Sequence, residues 1–249
     1  MQKKGQVTLF VILGLVLLIL ISVFFYARSQ YGFLVPSQQF LEGRAQDIQT
    51  DLASCVERIV PPLLTDFSQQ GGSLNPSPSL YYHGKNVAYL CQAGKGTACV
   101  NYLPPLSVML HSVEGELTTQ VQNCVNKDLL AEKGIQVSGT KTVKTTLELS
   151  GDALTALTSY DVQLQRDTTL VHITPVRYVA ANVPLGEIYP VIHDIIEGQT
   201  HGGFDQLYYM LQYKGKYLIQ VDKPYPDTVY RVSKTGSDYA FWFAVQGAA

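Results

Sequence analysis

The sequence has no excess of positive charge: 18 lysines and arginines stand against 20 acidic residues, for a formal net charge of −2 and a pI near 6.2. Nucleic-acid binding needs a clustered positive field, so that partner class is excluded. Charge is also missing between residues 7 and 26, where only Thr8, Gly14 and Ser22 interrupt an apolar and aromatic run. No second stretch is long enough to span a bilayer. No small-x-small site closes the run before Arg28, and the run exceeds the usual hydrophobic region of a secretory signal. No Cys-x-x-Cys half-site occurs, which argues against structural zinc.

What is present begins with the apolar run itself. At ~1.5 Å rise per residue a helix of that length covers roughly 30 Å, the hydrocarbon thickness of a bilayer, so residues 7–26 are expected to form a transmembrane helix in contact with lipid. Val7, Leu13, Leu20 and Tyr26 mark its course. Lys3 and Lys4 resist translocation, which leaves the N-terminus cytoplasmic and everything after Tyr26 outside the cell membrane. The junction Lys3-Lys4-Gly5-Gln6 resembles the class III signal of archaeal type IV pilins and flagellins. That resemblance implies cleavage between Gly5 and Gln6, and self-assembly through the helix that remains. Phe10 stands where many pilins carry a glutamate, so an uncleaved signal anchor is the alternative.

A chain of 249 residues leaves room beyond that segment for one substantial core or two small ones. Three regions follow from the changes of pattern: 1–27, the cytoplasmic tip and helix; 28–134, helical and cysteine-containing; and 135–249, rich in strands. In the second region Leu41, Ile48, Leu52, Cys55, Ile59 and Leu63 form one helical stripe after Ser37, a suitable N-cap. Pro61-Pro62 is expected to break or kink that helix, and Gly71-Gly72 to end it. A loop with Tyr81-Tyr82 leads into a short strand at 87–91. A second helix follows Pro105, with Leu106, Leu110, Val113, Leu117, Val121 and Cys124 on one side. From residue 135 the period falls to about 2, which predicts antiparallel strands at 143–149, 160–166, 170–179, 217–221, 228–232 and 239–245. One helix over 184–197 lies among them, stopped by Gly198. The expected class is α+β: a transmembrane helix, a disulfide-linked helical region, and a mostly antiparallel sheet with one packed helix.

Taken in order, Lys3-Lys4-Gly5-Gln6-Val7-Thr8-Leu9-Phe10, the Cys55-Val56-Glu57 helix, Gly71-Gly72 before a proline-rich loop and paired tyrosines, Tyr89-Leu90-Cys91, Cys99-Val100-Asn101, the helix ending in Cys124, and the close from Tyr239 to Val245 resemble a family of archaeal single-pass surface proteins. The resemblance covers nearly the whole chain. It implies an exported α+β domain behind a pilin-like anchor, and it implies no activity.

Outside the cell an even count of cysteines favours disulfides. Cys55 and Cys124 each lie on the apolar stripe of a helix, and packing those helices would join them. Cys91 and Cys99 flank a short glycine-containing loop that closes easily. By chain entropy the long loop is worth roughly 4 kcal/mol and the short one roughly 2.5 kcal/mol.

Three patterns mimic chemistry. Ser138-Gly139-Thr140-Lys141 and Lys234-Thr235-Gly236 echo the Ser-x-x-Lys and Lys-Thr-Gly elements of penicillin-binding enzymes, but the serine falls in a turn before a strand and no Ser-x-Asn lies between them. His193, Glu197 and His201 have metal-ligand spacing on a helix, yet Gly198 interrupts it. Among 16 tyrosines, the pairs Tyr81-Tyr82 and Tyr208-Tyr209 could stack on glycans, although tyrosine is also an ordinary strand residue. No catalytic, cofactor or metal site is assigned. The expected role is a non-enzymatic, membrane-anchored extracellular protein, a subunit of a cell-surface or pilus-like assembly. The alternative is a monomeric anchored adhesion module with a glycan or protein ligand.

Overall fold

The computed structural model describes residues 4–30, 37–94, 99–130, 134–213 and 215–247, without the side chains of 4–11, 25, 27–30, 127 and 129. Helix α1 runs Lys4–Gln30, and every side chain described on it is exposed. Among the described residues no helix is long and apolar enough to cross a membrane.

Helix α2, Ser37–Gln69, continues through Pro61 and Pro62, which corrects the expected break. Both prolines sit on the exposed side of the helix, where water can serve the carbonyls that lose their donors. Val60, Leu63, Leu64 and Phe67 are buried around them and hold the last turns to the core. Burying a side chain such as Phe67 is worth roughly 1.5–3 kcal/mol, comparable to the cost of a helical proline. The chain then turns at Gly71 and Gly72, both with positive φ. A Cβ on Gly72 would run into the Met109 methyl and crowd the Phe241 ring, and the positive φ adds to the preference for glycine at that corner.

Helix α3, Leu106–Cys124, packs against α2 and the strand Val143–Ser150, with Met109, Val113, Leu117 and Val121 buried in the common core. The packing joins Cys55 to Cys124, and a second bond joins Cys91 to Cys99, so both expected disulfides are present.

The strands fall into three sheets. The hairpin β1 (Ser79–Tyr82) and β2 (Lys85–Ala93) joins β10 (Tyr217–Asp222), β11 (Thr228–Lys234) and β12 (Ala240–Val245) in the order β1-β2-β12-β11-β10, with β3 (Cys99–Asn101) also on β2. Only the β12-β2 pairing is parallel. A second sheet is β5 (Val143–Ser150), β6 (Ala153–Tyr160) and β9 (Val176–Ala180). The third is β4 (Gln136–Ser138), β7 (Gln163–Arg166) and β8 (Thr169–His172). The architecture is therefore α+β with mostly antiparallel sheets. The first sheet draws strands from both sides of residue 135, and one hydrophobic core runs across that point.

Several boundaries move. The expected strand at 160–166 is two, because β6 ends at Tyr160 and β7 begins at Gln163. The expected strand at 170–179 is divided between two sheets, with Pro175 in the gap, since proline cannot donate to a ladder. Helix α4, Leu185–Thr200, passes through Gly198 because Ile188, Val191, Ile192, Ile195 and Ile196 are already buried and the helix has no tertiary reason to stop there. A short helix α5, Gln206–Gln212, follows, capped by the Asp205 carboxylate, which accepts from the Tyr208 N–H.

Candidate functional site

The residues singled out by sequence patterns end in different places. Gly5, Gln6 and Val7 lie in the first turns of α1 with their side chains outside the described residues, while Leu13, Leu20 and Tyr26 are exposed on it. Ser138 is on β4, and its hydroxyl faces Gln163. Lys234 ends β11 with its ammonium on Glu187 at 2.7 Å, and no contact joins the two motifs among the described residues. His193 and Glu197 do share α4, with His201 as its C-cap. His193 Nδ1 stands 3.8 Å from Asp194, and His201 Nδ1 stands 3.7 Å from Glu197. Among the described residues no three such side chains converge to hold a metal. Each tyrosine pair divides: Tyr81 and Tyr208 are exposed, Tyr82 is engaged by Asp222, and Tyr209 is buried with its hydroxyl donated to Asp194 at 3.0 Å.

The structure brings together a different set, on the outer face of the first sheet. Strand alternation turns Phe241 and Phe243 inward to the core and Trp242 outward. Arg231, opposite Trp242 in the register, lies over its ring at 5.7 Å from the centroid. Tyr82 meets the same ring edge-on at 6.2 Å. Asp222 Oδ2 accepts from Tyr82 Oη at 2.6 Å and from Arg231 Nη2 at 2.7 Å. The Tyr82 hydrogen bond first, then the Arg231 charge, hold the Asp222 carboxyl below the usual range, whereas burial and Asp222 push the Tyr82 hydroxyl up.

Beside this cluster a groove of about 550 Å³ opens between the end of α2, the residues leaving β9, and β12 with the turn before it. Trp242 belongs to both cluster and groove. Tyr178, Gln69, Asn182 and Asp238 supply aromatic, amide and carboxylate groups to the groove wall. Tyr239 also lines it, and its hydroxyl is buried with no hydrogen-bond partner; burial raises its pKa. A hydroxyl left in that state costs about 1–3 kcal/mol. The alternation around Trp242 is visible in the sequence. The groove is not, because its walls come from three segments, and the end of α2 lies more than a hundred residues from the other two.

Chemically, the groove can stack an apolar ring face and exchange hydrogen bonds with a neutral polar ligand. Among the described residues its walls carry no lysine, arginine or histidine. The chain is thus an α+β domain with two disulfides and an apolar helix near its start. No family model, curated protein or solved structure matches it.

Proposed function

We propose that this is a non-enzymatic protein held in a membrane by its N-terminal helix, with the remaining domain exported, and that it serves as a subunit of a cell-surface or pilus-like assembly. The observation that carries the reading is the character of α1. Its described side chains from Ile12 to Phe24 are exposed, and apart from Gly14 and Ser22 they are large and apolar on every side of the helix. A helix with no polar stripe does not rest on a water-facing surface; it needs apolar surroundings all round, from lipid or from like helices. In the sequence the uncharged run of residues 7–26 would extend ~30 Å as a helix, the thickness of the hydrocarbon core of a bilayer. Lys3 and Lys4 orient it, and the two disulfides suit an oxidising compartment.

Alkaline carbonate extraction of membranes from the native cell should leave the protein in the pellet, and release into the supernatant would refute the anchor. Mass spectrometry of the mature N-terminus then separates a pilin-like subunit, beginning at Gln6, from a plain anchor that keeps Met1 or Gln2. The second reading, a monomeric anchored binding module, is favoured by the groove at Trp242. Filaments in negative stain of cell surfaces would favour the first.

A further inference from the structure

We propose that the groove between α2, β9 and β12 is a binding site for a neutral saccharide, with Trp242 and Tyr178 as stacking surfaces and Gln69, Asn182 and Asp238 as the groups that read hydroxyls. The proposal takes from the reading above only that the site faces the outside.

Sugar rings present two chemistries at once: apolar C–H faces, which lie on aromatic rings, and adjacent hydroxyls that both donate and accept. Planar amides and carboxylates match such hydroxyl pairs, because each holds two polar atoms side by side. Three of these groups line the groove. Among the described residues none of the side chains of Gln69, Asn182 and Asp238 is hydrogen-bonded within the protein, so all three are available to a ligand. Trp242 is held in place from the outer face by Arg231 and Tyr82 while it also lines the groove, so a stacking surface is set before any ligand arrives.

Charge narrows the ligand class. With one carboxylate and, among the described residues, no cation in its walls, the groove disfavours phosphates, sulfates and acidic sugars. Its volume of about 550 Å³ lies within the ~300–1,000 Å³ of small-molecule sites, which suits a saccharide of roughly two rings. Position also fits. At ~1.5 Å per residue along α2, Pro61–Gln69 lie ~36–48 Å from Ser37, where the domain begins after the apolar helix. The groove is therefore at the end of α2 remote from the anchor.

Trp242 is the single tryptophan of the chain, so tryptophan emission comes from a residue of the groove wall and from nowhere else. The full chain, purified in a zwitterionic detergent without a sugar headgroup, is titrated with neutral hexoses, N-acetylhexosamines and their disaccharides. At least one should change the emission saturably. Asp238→Ala and Gln69→Ala should each raise its dissociation constant about 10-fold, the equivalent of one good polar contact. Both should keep the parent thermal midpoint, because neither side chain is bonded within the fold. Tyr208→Ala, on α5 and outside the groove, should bind as the parent does. Absence of a saturable change with every neutral sugar overturns the proposal. So does unchanged affinity in the Asp238→Ala and Gln69→Ala variants, or a response confined to acidic sugars or peptides. The titration uses purified protein, so its outcome is independent of membrane residence, which the carbonate extraction tests separately.

Discussion

Tyr82 and Asp222 belong to the opposite ends of the strand order β1-β2-β12-β11-β10, yet their side chains meet at 2.6 Å. The β1-β2 hairpin must curl over the outer face for this to happen, crossing Trp242 and Arg231 on the way. The bond acts as a clasp between the sheet's two ends. Tyr82→Phe removes one charge-assisted hydrogen bond from a half-exposed site, with an expected loss of ~1–2 kcal/mol. That corresponds to a fall of ~2–8 °C in thermal midpoint for a domain of this size. Asp222→Ala should cost more, because it also leaves Arg231 without its carboxylate. Since the Asp222 carboxyl is held below its ordinary range, its contribution is full above ~pH 4 and lost as pH falls through the lowered value. Acid unfolding of Asp222→Asn should therefore be flatter below pH 4 than that of the parent, as followed by circular dichroism.

At the alkaline end the sign reverses. Burial first, and the hydrogen bond to Asp227 second, push the Tyr89 hydroxyl up to about 12. An unfolded tyrosine ionises near pH 10, so between ~pH 10 and about 12 the unfolded state holds fewer protons than the folded one. Stability is fully present below pH 10 and declines through that window. Tyr89→Phe should remove part of the decline, measured as thermal midpoint against pH from 9 to 12. An equally steep decline in the variant would assign it to other raised tyrosines, of which Tyr209 is one.

The two disulfides are unequal for a reason that depends on loop length. Cys55–Cys124 closes a separation of 69 residues and Cys91–Cys99 one of 8. Loop-closure entropy gives ~4 kcal/mol for the first and ~2.5 kcal/mol for the second. Each pair joins one buried cysteine, Cys55 or Cys91, to a partly buried one, so alanine replacement removes similar buried sulfur from both and leaves the loop term to set the difference. Urea unfolding of the two paired-alanine variants checks this. Equal midpoints would show that the short bridge secures more than its own loop.

Period and turn chemistry made much of this fold legible. The stripes of α2, α3 and α4 and the strands from 217 onward follow directly from spacing, and the cysteine pairing followed from placing Cys55 and Cys124 on two such stripes. Readings failed where tertiary packing overrode a local rule. Pro61-Pro62 stays helical because the turns on either side are buried, and Gly198 does not stop a helix whose isoleucines are already seated. The β1-β2 hairpin has no clear local signal, because its turn places His83 and Gly84 both at positive φ and histidine is not the usual residue for that turn. The groove could not be read at all. Gln69, Asn182 and Trp242 have no local relation, and only the fold brings them together.

Gly72 separates two costs that usually come together. Its φ of 78° strains any L-residue, and its Cα faces Met109 and Phe241 with no room for a methyl group. Gly84 has nearly the same φ, 80°, but opens on empty space. Gly84→Ala should therefore show the backbone penalty alone, about 1–2 kcal/mol. Gly72→Ala should add an overpacking cost of ~1–3 kcal/mol, since Phe241 is fully buried and Met109 nearly so. Met109 is unbranched and can yield, which sets a limit on that excess. In the Gly72→Ala/Met109→Ala double variant the new methyl fits, and the measured cost should fall below the sum of the two single changes. Simple additivity in urea unfolding would mean that α2 and α3 shift apart to admit the methyl group, instead of Met109 moving aside.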